Sequence, residues 1–212
     1  MSKQVTIVDH PLVAHKLTIL RNRSTSVPEF RELMREIGWC LGYEAMRDLE
    51  LADKIIQTPV SPMTGKKLAG RKMALVTILR AGDGLLRPMM ELVPDARVGH
   101  IGMSRNEETL EPEAWFFRMP LDIDQRPVVV VDPMLATGGS AIAAINLLKE
   151  NGVKNMRFIC LVAAPEGVEA FTKAHPDIPI TTASVDEKLN ENGYIVPGLG
   201  DAGDRIFGTE GA

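Results

Sequence analysis

Hydrophobic residues recur along this chain with two different periods, and the way they alternate sets the architecture. Over residues 28–49, Phe30, Leu33, Met34, Ile37, Leu41 and Ala45 return at three- and four-residue steps, one face of a helix. Pro11, following Asp9 and His10, marks an earlier helix start, because the first turn does not need the missing N–H. Residues 73–79 (MALVTIL) and 128–131 (four valines) are instead nearly continuous apolar runs, as expected of strands buried on both faces. Further strands are predicted at 98–103, 158–162 and 178–183, with helical stretches at 85–92, 141–148 and 167–173. Short strands alternating with helices of about ten residues predict an α/β fold, a parallel-dominated sheet flanked by helices. Residues 57–72, with Pro59, Pro62, Gly65 and Gly70, read as turns or short hairpin arms. From Asn190 onward glycine is too frequent for a regular element, yet Tyr194, Ile195, Val196 and Phe207 call for burial. That tail reads as an ordered loop covering something.

Composition narrows the class. At 212 residues, 45% of them hydrophobic, the chain is expected to form a single domain, 1–212, with a core large enough to need no staples. Lys and Arg number 24 against 28 Asp and Glu, a net charge of −4, which argues against a nucleic-acid partner and against disorder. The longest apolar run, 158–164, is far short of the ~20 residues that span a bilayer. Asp9, His10, Pro11 and Lys16 interrupt any secretory core near the start. Cys40 and Cys160 lie in apolar settings without a CxxC partner, so two buried thiols and a cytoplasmic location are expected.

The most informative segment is 128–140, VVVVDPMLATGGS. A buried strand delivers Asp132 to its C-terminal end, where open α/β sheets bind ligands. Thr137, Gly138, Gly139 and Ser140 then open a helix and turn several backbone N–H groups toward one point, an anion site. Glycine there lets a phosphate approach the backbone. Neither GxxxxGK[ST] nor GxGxxG is present, which disfavours a P-loop NTPase and a dinucleotide fold.

Four apolar residues, an acid and TGGS resemble the 5-phosphoribosyl-1-pyrophosphate (PRPP) loop of type I phosphoribosyltransferases. Most of that superfamily carries two consecutive acids; Pro133 in the second place is similar to the uracil phosphoribosyltransferases, whose loop reads DPMLATGG. LRAG at 79–82, RNEETLEP at 105–112, AAPEG at 163–167 and GYIVPGLGDAGD at 193–204 extend the resemblance across the chain. It implies the type I phosphoribosyltransferase fold with a small hood from the N-terminal region and the tail 185–212. The activity implied is transfer of the phosphoribosyl group of PRPP to N1 of uracil, giving UMP and diphosphate, with Mg²⁺ carried by PRPP and Asp132 as its one plausible carboxylate.

The resemblance also distributes roles. Asp132 would meet the ribose hydroxyls and stabilise positive charge at C1 of an oxocarbenium-like transition state. Backbone of Met134, Leu135 and Ala136 would face PRPP while their side chains pack, and Thr137 and Ser140 would give hydroxyls to the 5-phosphate or cap the helix. Arg80, Ala81 and Gly82 would hold the pyrophosphate in a turn containing a non-proline cis peptide. Arg105, on a mobile arm, would close over PRPP and exclude water. Uracil would be read by Ile195, Gly200, Asp201 and Ala202. A backbone N–H, C=O, N–H series complements its O2, N3–H and O4 edge, rejecting cytosine by ~10⁴ or more. Asp201 also would meet PRPP and is the nearest candidate base for N1. The four histidines share no motif or metal-ligand pattern, and His175 reads as a helix C-terminal residue. A homodimer or higher oligomer is implied, with 28–49 and 57–72 as interface candidates, and GTP is a further effector in some of the family. Two rivals stand beside this reading: the same fold acting on a purine, and a PRPP- or nucleotide-sensing regulator that binds RNA.

Overall fold

Residues 4–105 and 112–209 are described in the computed structural model. The first half runs β1 (Val5–Ile7), α1 (Pro11–Arg21), α2 (Val27–Ala45), β2 (Leu51–Gln57), β3 (Pro62–Leu68), β4 (Ala74–Leu79), α3 (Asp83–Leu92), β5 (Arg97–Arg105) and β6 (Pro112–Arg118). The second half runs β7 (Val128–Val131), β8 (Met134–Leu135), α4 (Gly139–Glu150), β9 (Met156–Ala163), α5 (Pro165–Ala174), β10 (Ile180–Val185), β11 (Lys188–Leu189), β12 (Ile195–Val196) and α6 (Ala202–Phe207). The main sheet has the order β1-β10-β9-β7-β4-β5-β6, with β8 also on β9. Every pairing in it is parallel except that of β6 with β5.

The valine run is buried residue by residue, and strand pleating divides it between two cores. Val129 and Val131 pack with Leu75, Phe30, Ile37 and Leu85 under α1, α2 and α3. Val128 and Val130 pack with Phe158, Ala144, Ile145 and Phe171 under α4 and α5. Helices on both faces of a mostly parallel sheet are the predicted α/β architecture. The amphipathic face of α2 is therefore core: Phe30, Met34, Ile37 and Leu41 are fully buried.

Local chemistry sets the helix ends. His10 caps α1, its ring accepting from Leu12 N–H at 3.2 Å, and Ser26 caps α2, accepting from Glu29 N–H at 3.4 Å. Expected to reach residue 49, α2 stops at Ala45 because Arg157, from β9, donates to the Ala45 carbonyl and pairs with Asp48 at 2.6 Å. His175 is the C-cap of α5, as expected. The stretch 57–72, read as turns or hairpin arms, supplies the turn and second arm of one regular hairpin whose first arm, β2, begins earlier; β2 and β3 are in register from Leu51↔Leu68 to Gln57↔Pro62 and separate from the main sheet.

The tail needs a larger correction. Instead of continuous loop it forms β12, paired with β11, and the short helix α6. Asp201 caps that helix and Gly208, in the left-handed region at φ 67°, closes it, so the glycines punctuate the element instead of preventing it. Tyr194 and Phe207, expected to be buried, are exposed, whereas Ile195 is buried. Cys40 is only half-buried; Cys160 is buried, and both are free thiols.

Candidate functional site

Three segments meet at the C-terminal edge of the sheet: the turn after β4, the stretch between β7 and α4, and the tail from residue 193 to 203. They enclose a pocket of about 280 Å³ lined by Ala81, Asp132, residues 134–141, Gly193, Tyr194, Ile195 and residues 200–203. This is the end at which an open α/β sheet binds ligands.

Asp132 reaches the pocket because β7 and β8 are one strand line interrupted for two residues. Val131 pairs with Ile159 and Met134 with Val162, so register along β9 is kept across the break. Within it Asp132 N–H donates to the Ile159 carbonyl at 3.1 Å, and the Pro133 carbonyl accepts from Leu161 and Val162 N–H. The β4–β7 ladder has already ended at Thr77↔Val131. Proline is accommodated there because no ladder bond is asked of it. The Pro133 ring is buried and outside the pocket lining.

Burial pushes the Asp132 carboxyl up to about 7, and the hydrogen bond from Met134 N–H, long at 3.4 Å, pulls it back only slightly. Beneath it, burial drives the Cys160 thiol up to about 12 and makes it inert. Leu135 is fully buried, its carbonyl held by Ala164 N–H at 2.9 Å, so its side chain packs as expected. Gly138 is the N-cap of α4 and offers no side chain; Thr137 Oγ1 accepts from Gly139 N–H at 3.4 Å, and Ser140 lies in the first turn. The amides opening this 12-residue helix border the pocket at its positive dipole end. Gly167 of α5 braces the turn from behind. A Cβ there would stand 2.2 Å from the Ala136 carbonyl oxygen, so only glycine permits the approach.

The turn after β4 contains the expected cis peptide, at Leu79–Arg80. Of its residues, Ala81 lines the pocket, whereas Gly82 lies behind it, against Thr77 and the Val131 carbonyl. Arg80 stands outside the lining with its side chain 61% exposed, 3.7 Å from Asp204 and over the Phe207 ring at 5.7 Å. Arg105 closes β5 in sequence; its side chain and the expected arm at 106–111 lie outside the described residues.

The tail forms the opposite wall. Ile195 is buried and held to Leu189 across β11–β12; Gly200, Asp201 and Ala202 line the pocket beside it. Asp201 Oδ1 accepts from Asp204 N–H at 2.9 Å, so one of its carboxylate oxygens is committed to the cap of α6. Behind the wall, Arg21 and Asp186 form a fork-to-fork ion pair with two 2.6 Å contacts. Although burial raises it, the Asp186 carboxyl is held below the usual carboxylate range by hydrogen bonds from Arg21 and Ser184. Gly193, Tyr194 and Gly203 fall within the 193–204 stretch expected to hold the base but were not singled out there, and Ala141 is a lining residue that sequence reasoning missed. Tyr194 also borders an adjoining cavity of about 390 Å³ with Arg21, Arg23 and Arg205, and its aromatic side chain within the glycine-rich tail was the available signal. Among the described residues no three His, Cys, Asp or Glu side chains cluster as a metal site.

Comparison with known proteins agrees with this geometry. The family model for uracil phosphoribosyltransferase matches residues 7–209. The uracil phosphoribosyltransferase of Levilactobacillus brevis is 59% identical over 204 residues, covering 96% of this chain and 98% of that protein. The solved structure of the AQ2163 protein from Aquifex aeolicus superposes with a TM-score of 0.91 at 36% identity, over 97% of this chain and 99% of that one. An adenine phosphoribosyltransferase from Trypanosoma brucei, TM-score 0.58 at 14% identity over 95% of this chain and 90% of that one, shares the fold.

Proposed function

The chain belongs to the uracil phosphoribosyltransferase family, and on that footing we propose how its pocket is divided between two substrates. The reaction joins N1 of uracil to C1 of the phosphoribosyl group of PRPP, giving UMP and diphosphate, a step of pyrimidine salvage. One observation carries the division. The N-terminus of α4, the Asp132 carboxyl and the backbone of the tail all border the same pocket of about 280 Å³.

We assign the 5-phosphate to the amides and hydroxyls of residues 137–140, where dipole and donors favour an anion. The ribose hydroxyls go to Asp132, and the diphosphate to the Arg80–Gly82 turn and Arg105. Uracil goes to Ile195, Gly200, Asp201 and Ala202, where backbone donors and acceptors can match its edge and leave cytosine's amino group and bare N3 unpaired. As the bond from C1 to diphosphate breaks, positive charge grows on the ribose and an ionised Asp132 stabilises it. The N1 proton passes to the Asp201 oxygen left free by the cap, or to water after bond formation.

Enzymes of this family generally use a divalent metal. A single carboxylate with one weak hydrogen bond fits magnesium that arrives on PRPP, since that ion keeps mostly water and phosphate ligands. Bound there, it would neutralise the departing diphosphate, with Asp132 as its one protein carboxylate.

We read the whole chain as one domain, its hood built from the N-terminal region and the tail 185–212, because Arg21 of α1 is tied to Asp186 and Gly198. The chain is further read as a homo-oligomer joined through the β2–β3 hairpin, on which Ile55 is 81% and Val60 91% exposed. Among the described residues no helix is long and apolar enough to cross a membrane. The free thiols support a cytoplasmic location.

UMP formation from PRPP and Mg²⁺, with uracil, cytosine and hypoxanthine as parallel acceptors, tests the assignment. UMP from uracil alone is expected; comparable turnover of another base would overturn the tail as a backbone reader.

A further inference from the structure

A backbone that reads a base must not turn over, and we infer that the buried Arg21–Asp186 pair is the positioning device that fixes it, and with it the preference for uracil. The inference rests on the assignment of uracil to Ile195 and residues 200–202. Between those positions the chain has little structure of its own. The β11–β12 ladder stops at Val196, Pro197 has no N–H, and Gly198 and Gly200 take positive φ of 62° and 80°. A Cβ on Gly198 would stand 2.1 Å from the Ile195 carbonyl oxygen, so this tight turn requires glycine. Peptide planes beside glycine rotate unless their polar atoms are held, and one rotated peptide would present a carbonyl where the base needs an N–H.

At Gly198 both polar groups are held by one ion pair. Asp186 Oδ2 accepts Gly198 N–H at 2.9 Å, and Arg21 Nη1 donates to the Gly198 carbonyl at 2.6 Å. The pair itself is locked by its two 2.6 Å contacts and by Ser184 Oγ, which donates to Asp186 Oδ1 at 2.7 Å. The Asp186 side chain is 2% exposed, so water offers little competition. Arg205 extends the clamp by one residue: it donates to the Leu199 carbonyl at 2.8 Å and to the Asn22 carbonyl at 2.6 Å. Neither Arg21 nor Asp186 lines the 280 Å³ pocket; Arg21 borders the adjoining cavity and Asp186 lines neither, so Asp186 acts through the loop and not on the base. A neutral amide at 186 could not replace the carboxylate. With its oxygen in the Oδ2 place it would still accept from Arg21 Nη1 and Gly198, but its NH₂ would then face Arg21 Nη2 where Oδ1 now accepts, and the negative charge that locks the fork would be gone.

Steady-state kinetics of Asp186→Asn, Arg21→Lys and Ser184→Ala test the inference, with uracil, cytosine and PRPP varied in turn. In Asp186→Asn the KM for uracil should rise about tenfold or more, and the uracil-over-cytosine preference should fall by a similar factor. The KM for PRPP should stay within about twofold, with Arg21→Lys intermediate and Ser184→Ala a smaller change in the same direction. An unchanged preference, or a loss spread equally over both KM values and kcat, would overturn the inference. If Asp186→Asn does not fold, the other two variants carry the same comparison. Ala202→Leu separates the clamp from the base assignment, since bulk on that wall must raise the KM for uracil. If it does not, both readings fall; if it does while the clamp variants keep full preference, only the clamp falls.

Discussion

Replacing Asp132 by asparagine should make the empty protein more stable while disabling it, and the size of the gain should depend on pH. The carboxyl is raised from 3.8 to about 7 by burial, which corresponds to on the order of 4 kcal/mol of native-state preference for the neutral acid. Solvent still reaches this half-buried side chain, which trims the expected effect to about 2–4 kcal/mol. The sign follows from proton counting. Between pH 4 and 7 the folded chain holds a proton that the unfolded chain has released, so stability falls as pH rises through that window. Below it the penalty is absent; above it the penalty is complete. Asparagine keeps the shape and carries no charge, so it removes the penalty. Urea unfolding of wild type and Asp132→Asn in metal-free buffer at pH 5 and pH 8 is the assay. The variant's advantage should be larger at pH 8 by about 1–3 kcal/mol, while UMP formation falls sharply. All other titrating groups are common to both proteins and cancel. An advantage equal at the two pH values, or none at pH 8, would refute the picture of an enclosed acid awaiting its ligand.

Gly167→Ala places a Cβ 2.2 Å from the Ala136 carbonyl and 2.6 Å from that of Leu135, so the phosphate turn must shift. PRPP affinity should drop about tenfold or more and unfolding free energy fall by about 1–3 kcal/mol, measured by ligand titration and urea midpoint. If the proposed homo-oligomer forms through the β2–β3 hairpin, Ile55→Glu with Val60→Glu should sediment as a smaller species than wild type with its UV circular dichroism unchanged; an identical sedimentation of the two proteins would refute that interface. Asp201→Asn retains an oxygen for the α6 cap, so stability should move by less than about 0.5 kcal/mol, whereas turnover of uracil should drop. Pro133→Asp, which restores the second acid of the wider superfamily, puts a carboxylate at a buried position. It should lower stability by about 2 kcal/mol or more without lowering the KM for PRPP, as unfolding and kinetics would show.

The parts of the site legible in the sequence are those whose cause is local. Val128 to Val131 announces a strand buried on both faces, Asp132 follows at its end, and the glycines after it need no distant partner to open a helix. The tail was misjudged because glycine counts say nothing of position. Asp201 and Gly208 cap a helix when they stand at its two ends, and the same residues in another order would not. Tyr194 and Phe207 were expected inside, but Tyr194 is 48% exposed at the mouth of the pocket and Phe207 lies under Arg80. The clamp on Gly198 was invisible for a different reason. Arg21 and Asp186 are 165 residues apart in sequence, and no propensity or period links them until the sheet brings α1 beside the tail.

Pro133 joins the local and the distant causes. Two adjacent carboxylates inside one enclosure would repel, and one of them would hold a proton far above the usual carboxylate range. This chain puts at the second place a residue without charge and without an N–H, in the stretch of the strand line past the end of the β4–β7 ladder at Val131. Asp132 thus faces the pocket with only a 3.4 Å amide contact to satisfy it, and burial outweighs that contact in setting its charge. In the proposed assignment a ribose hydroxyl or a metal carried by diphosphate would supply what the fold withholds, and the acid would ionise as substrate arrives. On that assignment, the same enclosure that weakens the empty protein above pH 7 would strengthen the carboxylate's attraction for charge developing at C1.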